Sequence, residues 1–169
     1  DARFIYLTRD AAANISSLIE GWRSKTKFKF RARKFYDYNK YINIKGYDGD
    51  VWKFTNPPGW EAYLNKSLEE VCAFQWLAAH QYASGSFAKL DSARVCRVKY
   101  EELIADPSSI IKEICNFIEI PYDEHLQEQA RSLPVVATVT KPELNKWLKN
   151  KTLIDNIAQT VDEMQLQLG

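Results

Sequence analysis

The chain has 169 residues, enough for one domain with a real core, and 46% of them are apolar. With 23 basic and 22 acidic residues the formal net charge is +1, which describes a soluble globular protein rather than a strongly basic nucleic-acid binder or an acidic tail. No apolar run approaches the roughly 18 residues of a membrane span.

The first element is "RFIYLTRD". Residues 3 to 8 form a continuous apolar run of strand length, the pattern of a strand covered on both faces. The chain begins at Asp1, already inside this strand, so the expectation is a piece of something longer. Asp10 suits the N-cap of a helix running to about Ser24, with Ile15, Leu18, Ile19 and Trp22 at helical spacing.

Residues 25 to 65 read as an irregular, aromatic-rich insertion closing in the turn sequence "FTNPPGW". Within it "KTKFKFRARK" alternates basic residues with Phe28, Phe30 and Ala32. That period-two pattern reads as an extended arm, either with a solvated basic face or binding a polyanion by charge and stacking. Eight bases stand against one acid from Arg23 to Lys40, and eight acids against one base from Glu101 to Glu128.

"SLEE" at Ser67 is a capping box that starts a helix reaching about Ser84. A second strand follows in "ARVCRVKY". In "DPSSIIKEICNFI", Asp106 is the N-cap and Pro107 takes the first helical position, where its missing N–H costs nothing. A shorter helix is expected over 123–132, and a last one from Thr152 to about Leu168 with Ile154, Ile157 and Val161 on one face. Three cysteines, Cys72, Cys96 and Cys115, fit neither a zinc site nor a CxxC pair. Buried free thiols and a reducing, cytoplasmic compartment are the reading, with no metal site.

This order of elements is α/β. A two-stranded parallel sheet is not stable alone, so further strands are expected N-terminal to Asp1. Ligands of open α/β sheets bind beyond the carboxyl ends of the strands, which selects two junctions. In "TRDAAANISS", Arg9 offers a fork of donors suited to phosphate, and Ser17 adds a hydroxyl. The alternative is that Arg9 pairs with Asp10 or Glu101 and Ser17 is an ordinary helix residue. In "VKYEEL", Tyr100 stands just past its strand, either to meet a base or to cap the sheet.

Taken together, "FIYLTRDAAANISS", "RVKYEELIADPSSIIKEICNFIEIP" and "ATVTKPELNKWLKN" resemble, in order and spacing, the C-terminal half of the PAPS-dependent sulfotransferases, closest to the bacterial-type and tyrosylprotein branches. The resemblance implies a P-loop-like parallel sheet flanked by helices, with only the C-terminal part of the sheet in this chain. Residues 1–169 would then be the C-terminal part of one sulfotransferase-like domain, and residues 25–65 an insertion on its acceptor side, with aromatic walls from "WKFTNPPGW". It implies that Arg9 and Ser17, eight residues apart as in the family, hold the 3′-phosphate of 3′-phosphoadenosine 5′-phosphosulfate (PAPS). Tyr100 would lie near the adenine, Thr138 and Lys141 in a loop closing over the nucleotide, and Trp147 would serve packing. The family often has Arg where Lys149 stands.

The family's 5′-phosphosulfate loop, of the form Pro-Lys-Ser/Thr-Gly-Thr/Ser, has no counterpart in these residues. Its general base, a His or Glu, also lies upstream, and neither His80 nor His125 matches it, so no catalytic residue is assigned. The implied activity is transfer of a sulfuryl group from PAPS to a hydroxyl of a small molecule, sugar or protein, by a chain inactive without the missing N-terminal part of its domain. Nucleic acid is not the expected partner. The alternatives are a polyanion- or nucleic-acid-binding α/β module with a degenerate nucleotide site, and another nucleotide-dependent transferase such as a kinase.

Overall fold

In the computed structural model, strand β1 (Phe4–Thr8) lies parallel to β2 (Val95–Lys99), in register from Phe4 against Val95 to Thr8 against Lys99. The structure describes residues 2–24, 42–49, 51–131, 133 and 145–168. Between and after the strands come α1 (Ala11–Arg23), α2 (Leu68–Phe87), α3 (Tyr100–Ala105), α4 (Pro107–Ile118), α5 (Glu124–Arg131), α6 (Lys151–Asp155) and α7 (Ala158–Leu168). This is a helix-rich α/β chain with a small parallel sheet flanked by helices. The chain divides into two units, one of residues 1–10 and 83–141, the other of residues 11–82 and 142–169.

The first unit is the sheet with α3, α4 and α5. Alternation along β1 turns Phe4 and Tyr6 toward Phe87, with ring centres 5.8 and 5.1 Å away. Ile5 and Leu7 face the other way and remain 45% and 49% exposed. The apolar run therefore forms the expected strand, but the described residues do not cover both of its faces. Among the described residues β1 pairs with β2 alone, and α3 and α4 pack against β2, whose Val98 is buried.

Local signals set the helix ends here. Asp106 accepts a hydrogen bond from the Ser109 N–H at 3.1 Å, and Pro107 opens α4. Glu119 ends it in the left-handed region, φ 61°, while the Ile120 N–H reaches back to the Cys115 carbonyl at 3.0 Å. Arg3, just before β1, donates to the Phe117 carbonyl and pairs with Glu119. It thus places a cation at the carbonyl end of α4.

The second unit holds an aromatic core. Ile15, Ile19 and Trp22 of α1 are fully buried, as their spacing requires, against Leu68, Val71, Cys72 and Trp76 of α2 and Ile154, Ile157 and Val161. The Trp22 ring meets Trp52 edge-on at 5.3 Å, and Trp52 meets Trp60 at 4.9 Å. Trp52 and Trp60 are buried, so these two residues of "WKFTNPPGW" are core and not walls of an acceptor pocket. The predicted capping box is present: the Ser67 N–H donates to Glu70 Oε2 at 2.9 Å and the Glu70 N–H to Ser67 Oγ at 3.4 Å.

Three polar contacts hold this unit from within. Trp22 Nε1 donates to Gln75 Oε1 at 3.0 Å, and Gln75 Nε2 donates to the Lys53 and Thr55 carbonyls at 2.7 and 2.8 Å. Lys53 Nζ sits on the last carbonyls of α1, donating to Gly21, Trp22 and Ser24. Burial pulls the Lys53 ammonium pKa down from its ordinary 10.5. A Cβ at Gly21 would overlap the tip of the Phe54 ring, so a larger residue there requires that ring to shift.

The C-terminal helix differs from its expectation. It is two helices with a break at Asn156 and Ile157, preceded by a 3₁₀ turn at Lys146–Asn150, and it starts at Lys151, one residue before the expected Thr152. Asn156 at the break donates to Glu69 Oε1 at 3.3 Å. Among the described residues no helix is long and apolar enough to cross a membrane.

Candidate functional site

Both junctions singled out by the sequence lie where a strand ends, and in the first unit they meet. The last register pair of the sheet is Thr8 against Lys99, and Thr8 Oγ1 donates to the Val98 carbonyl at 3.4 Å. One step further the Arg9 guanidinium lies over the Tyr100 ring, its central carbon 4.8 Å from the ring centre. At that separation a guanidinium is attracted to the ring's negative face. One more step on, the Asp10 N–H donates to Glu101 Oε1 at 3.0 Å.

Arg9 and Tyr100 are thus brought together. Glu101, weighed from the sequence as a side-chain partner of Arg9, instead accepts from the backbone N–H of Asp10. The signal that finds it is its place directly after Tyr100, one register step beyond the strand pair.

Ser17 belongs to the second unit. Its hydroxyl donates to the Ala13 carbonyl at 2.9 Å, a turn back in α1. Its neighbour Ser16 is buried and accepts from Asn150 Nδ2 at 2.9 Å. One turn on, Glu20 pairs with Lys149 and, at 3.4 Å, with Lys146, its side chain only 13% exposed. The cation at position 149 is therefore engaged by a carboxylate of α1. Trp147 packs against the core, as expected.

Thr138 and Lys141 fall outside the described residues, as does the basic arm from Lys25 to Lys34.

The two histidines are placed as ordinary residues. His80 is half-buried with its ring 4.8 Å from that of Trp76, and burial lowers its pKa. His125 is exposed on α5. All three cysteines are free; Cys72 and Cys115 are buried and Cys96 is half-buried. Burial pushes the Cys72 thiol well up, and burial with the Glu113 charge pushes up Cys96, so both stay as thiols at neutral pH. Among the described residues no group of His, Cys, Asp or Glu is arranged to hold a metal ion.

An arginine presented from a strand end over a tyrosine has a fork of donors whose geometry suits an oxyanion. The family model for the Sulfotransferase domain matches residues 1–163. The chain belongs to the sulfotransferase domain family, whose members are transferases that move a sulfuryl group to an acceptor. No solved structure matches the chain.

Proposed function

We propose that this chain supplies the 3′-phosphate and adenine side of the donor site in a PAPS-dependent sulfotransferase. The observation that carries the reading is the Arg9 guanidinium held over the Tyr100 ring at the carboxyl end of the sheet, in a chain of this family. Arg9 binds the 3′-phosphate of the donor and Tyr100 stands beside the nucleotide's adenine end; Ser17 enters the reading by the family resemblance alone, since its hydroxyl donates to the Ala13 carbonyl. By the same resemblance Thr138 and Lys141 contribute from a segment covering the nucleotide.

The reaction is an in-line displacement. The acceptor hydroxyl oxygen forms a bond to sulfur, the bond from sulfur to the 5′-phosphate oxygen breaks, and adenosine 3′,5′-bisphosphate leaves while the hydroxyl proton passes to a base. Positioning and cationic donors dominate such transfers. Arg9 contributes at the far end of the donor, so its binding energy orients the nucleotide without touching the reacting atoms.

The same reading assigns the 5′-phosphosulfate loop, the base and further strands to sequence N-terminal to Asp1. The exposure of Ile5 and Leu7 supports it, since both are apolar residues on a strand with one neighbour among the described residues. Residues 1–169 by themselves are then inactive. The acceptor is a hydroxyl of a small molecule, sugar or protein.

Calorimetry with adenosine 3′,5′-bisphosphate on the full-length protein tests the assignment. A charged hydrogen bond contributes about 1.5–3 kcal/mol, so Arg9→Ala is expected to weaken binding about ten- to a hundredfold. Unchanged affinity sinks the assignment.

A further inference from the structure

We infer that Glu101 is a positioning residue for Arg9: its carboxylate replaces the strand partner that β1 loses when β2 turns into a helix. The inference rests on the reading above that Arg9 takes the 3′-phosphate.

The argument begins with the register. In a parallel pair every second N–H of one strand is answered by a carbonyl of a given neighbour. Through Thr8 and Lys99 the neighbour is β2. From Tyr100 onward the chain is helical, and its backbone carbonyls are directed along α3, where Glu102's accepts the Asp106 N–H at 2.9 Å. Asp10 would meet no strand carbonyl there. Instead its N–H finds Glu101 Oε1 at 3.0 Å, so a side chain extends the ladder two residues past its end.

The consequence falls on Arg9, which lies between the last true pair and this substitute. Its guanidinium stands at the end of a long side chain, and a fork of donors recognises phosphate only when its plane and direction are set. The Tyr100 ring, 4.8 Å away, sets the plane. The hydrogen bond from the next residue's N–H fixes the Arg9–Asp10 peptide and with it the direction in which the side chain leaves the backbone. Adjacent residues of one helical turn thus hold Arg9 from two sides.

A carboxylate so close to an anion site carries a penalty that its hydrogen bond must outweigh, and this makes the role separable from charge. Glu101→Gln keeps an acceptor oxygen and removes the charge. Glu101→Ala removes both. Affinities of the full-length protein for adenosine 3′,5′-bisphosphate and for adenosine 5′-phosphate, which lacks the 3′-phosphate, read the effect. Glu101→Ala is expected to lower the preference for the bisphosphate about three- to tenfold with adenosine 5′-phosphate binding unchanged, and Glu101→Gln to match or exceed the wild type.

A rise in bisphosphate affinity in both variants would show that Glu101 acts by repulsion alone and overturn the inference. So would an equal loss for both nucleotides in Glu101→Ala, which marks a structural residue, or an unchanged preference in that variant. A wild-type protein that does not prefer the bisphosphate overturns the 3′-phosphate reading itself, and this inference with it.

Discussion

The Arg9 guanidinium carbon lies 4.8 Å from the centre of the Tyr100 ring, one register step beyond the last paired residues of the sheet. The guanidinium lies over the ring, and the separate contributions of ring and phenol oxygen can be tested. Tyr100→Phe keeps the ring and should change affinity for adenosine 3′,5′-bisphosphate by no more than about twofold. Tyr100→Ala should weaken it about three- to thirtyfold, the range of a cation–π contact from exposed to desolvated. Equal losses in the two variants would transfer the role to the hydroxyl, as in a direct contact to the base.

Gln75 occupies a core position and satisfies three partners, the Trp22 indole N–H and the carbonyls of Lys53 and Thr55. Replacing it with Leu keeps the volume and leaves all three without their bonds. The expected loss is about 2–4 kcal/mol, read as a lower urea midpoint with little change in slope. A loss below about 0.5 kcal/mol would mean that the partners re-pair without it.

Glu20 gathers two lysines against α1 with its own side chain mostly buried. Glu20→Gln leaves the Lys146 and Lys149 ammonium groups facing a neutral amide and should cost about 1–3 kcal/mol. Lys149→Met, which leaves Glu20 its Lys146 partner, should cost less. The order of the two melting temperatures checks this, and the reverse order would contradict it.

Acid titrates the start of α2. The Ser67 backbone N–H, donating to Glu70, holds that carboxyl below its ordinary 4.5. A carboxyl whose pKa is lower folded than unfolded binds fewer protons in the native state, so its contribution is present above the unfolded value and lost as pH falls through the folded one. Thermal melts from about pH 6 down to about pH 3 should decline more steeply for the wild type than for Glu70→Gln. Parallel curves would remove Glu70 from the acid response.

What the sequence disclosed follows the range of the interaction. The Ser67–Glu70 box and the Asp106–Pro107 helix start are set within three residues, and the α1 stripe of Ile15, Ile19 and Trp22 repeats with the helix, so each could be read directly. The strand ends also announced Arg9 and Tyr100, because α/β topology fixes where ligands bind. Contacts between remote polar residues left no such trace. Asn150 meets Ser16 across 134 positions, and neither residue type at either place carries a periodic signal. Gln75 was open to suspicion from its place among Leu68, Val71 and Cys72, since a polar residue on a buried face needs partners. The tryptophans of "WKFTNPPGW" misled for a related reason: an aromatic side chain lines a cleft or fills a core with the same composition, and packing against Trp22 decides between them.

The open side of β1 bears on handling as well as on catalysis. Phe4, Ile5 and Leu7 are 37%, 45% and 49% exposed along a strand with a single neighbour among the described residues, and such an edge offers backbone and apolar side chains to any other chain in solution. Residues 1–169 produced as an isolated polypeptide should therefore self-associate with rising concentration. A lysine at Ile5, facing outward on that strand, should raise the concentration at which light scattering first increases.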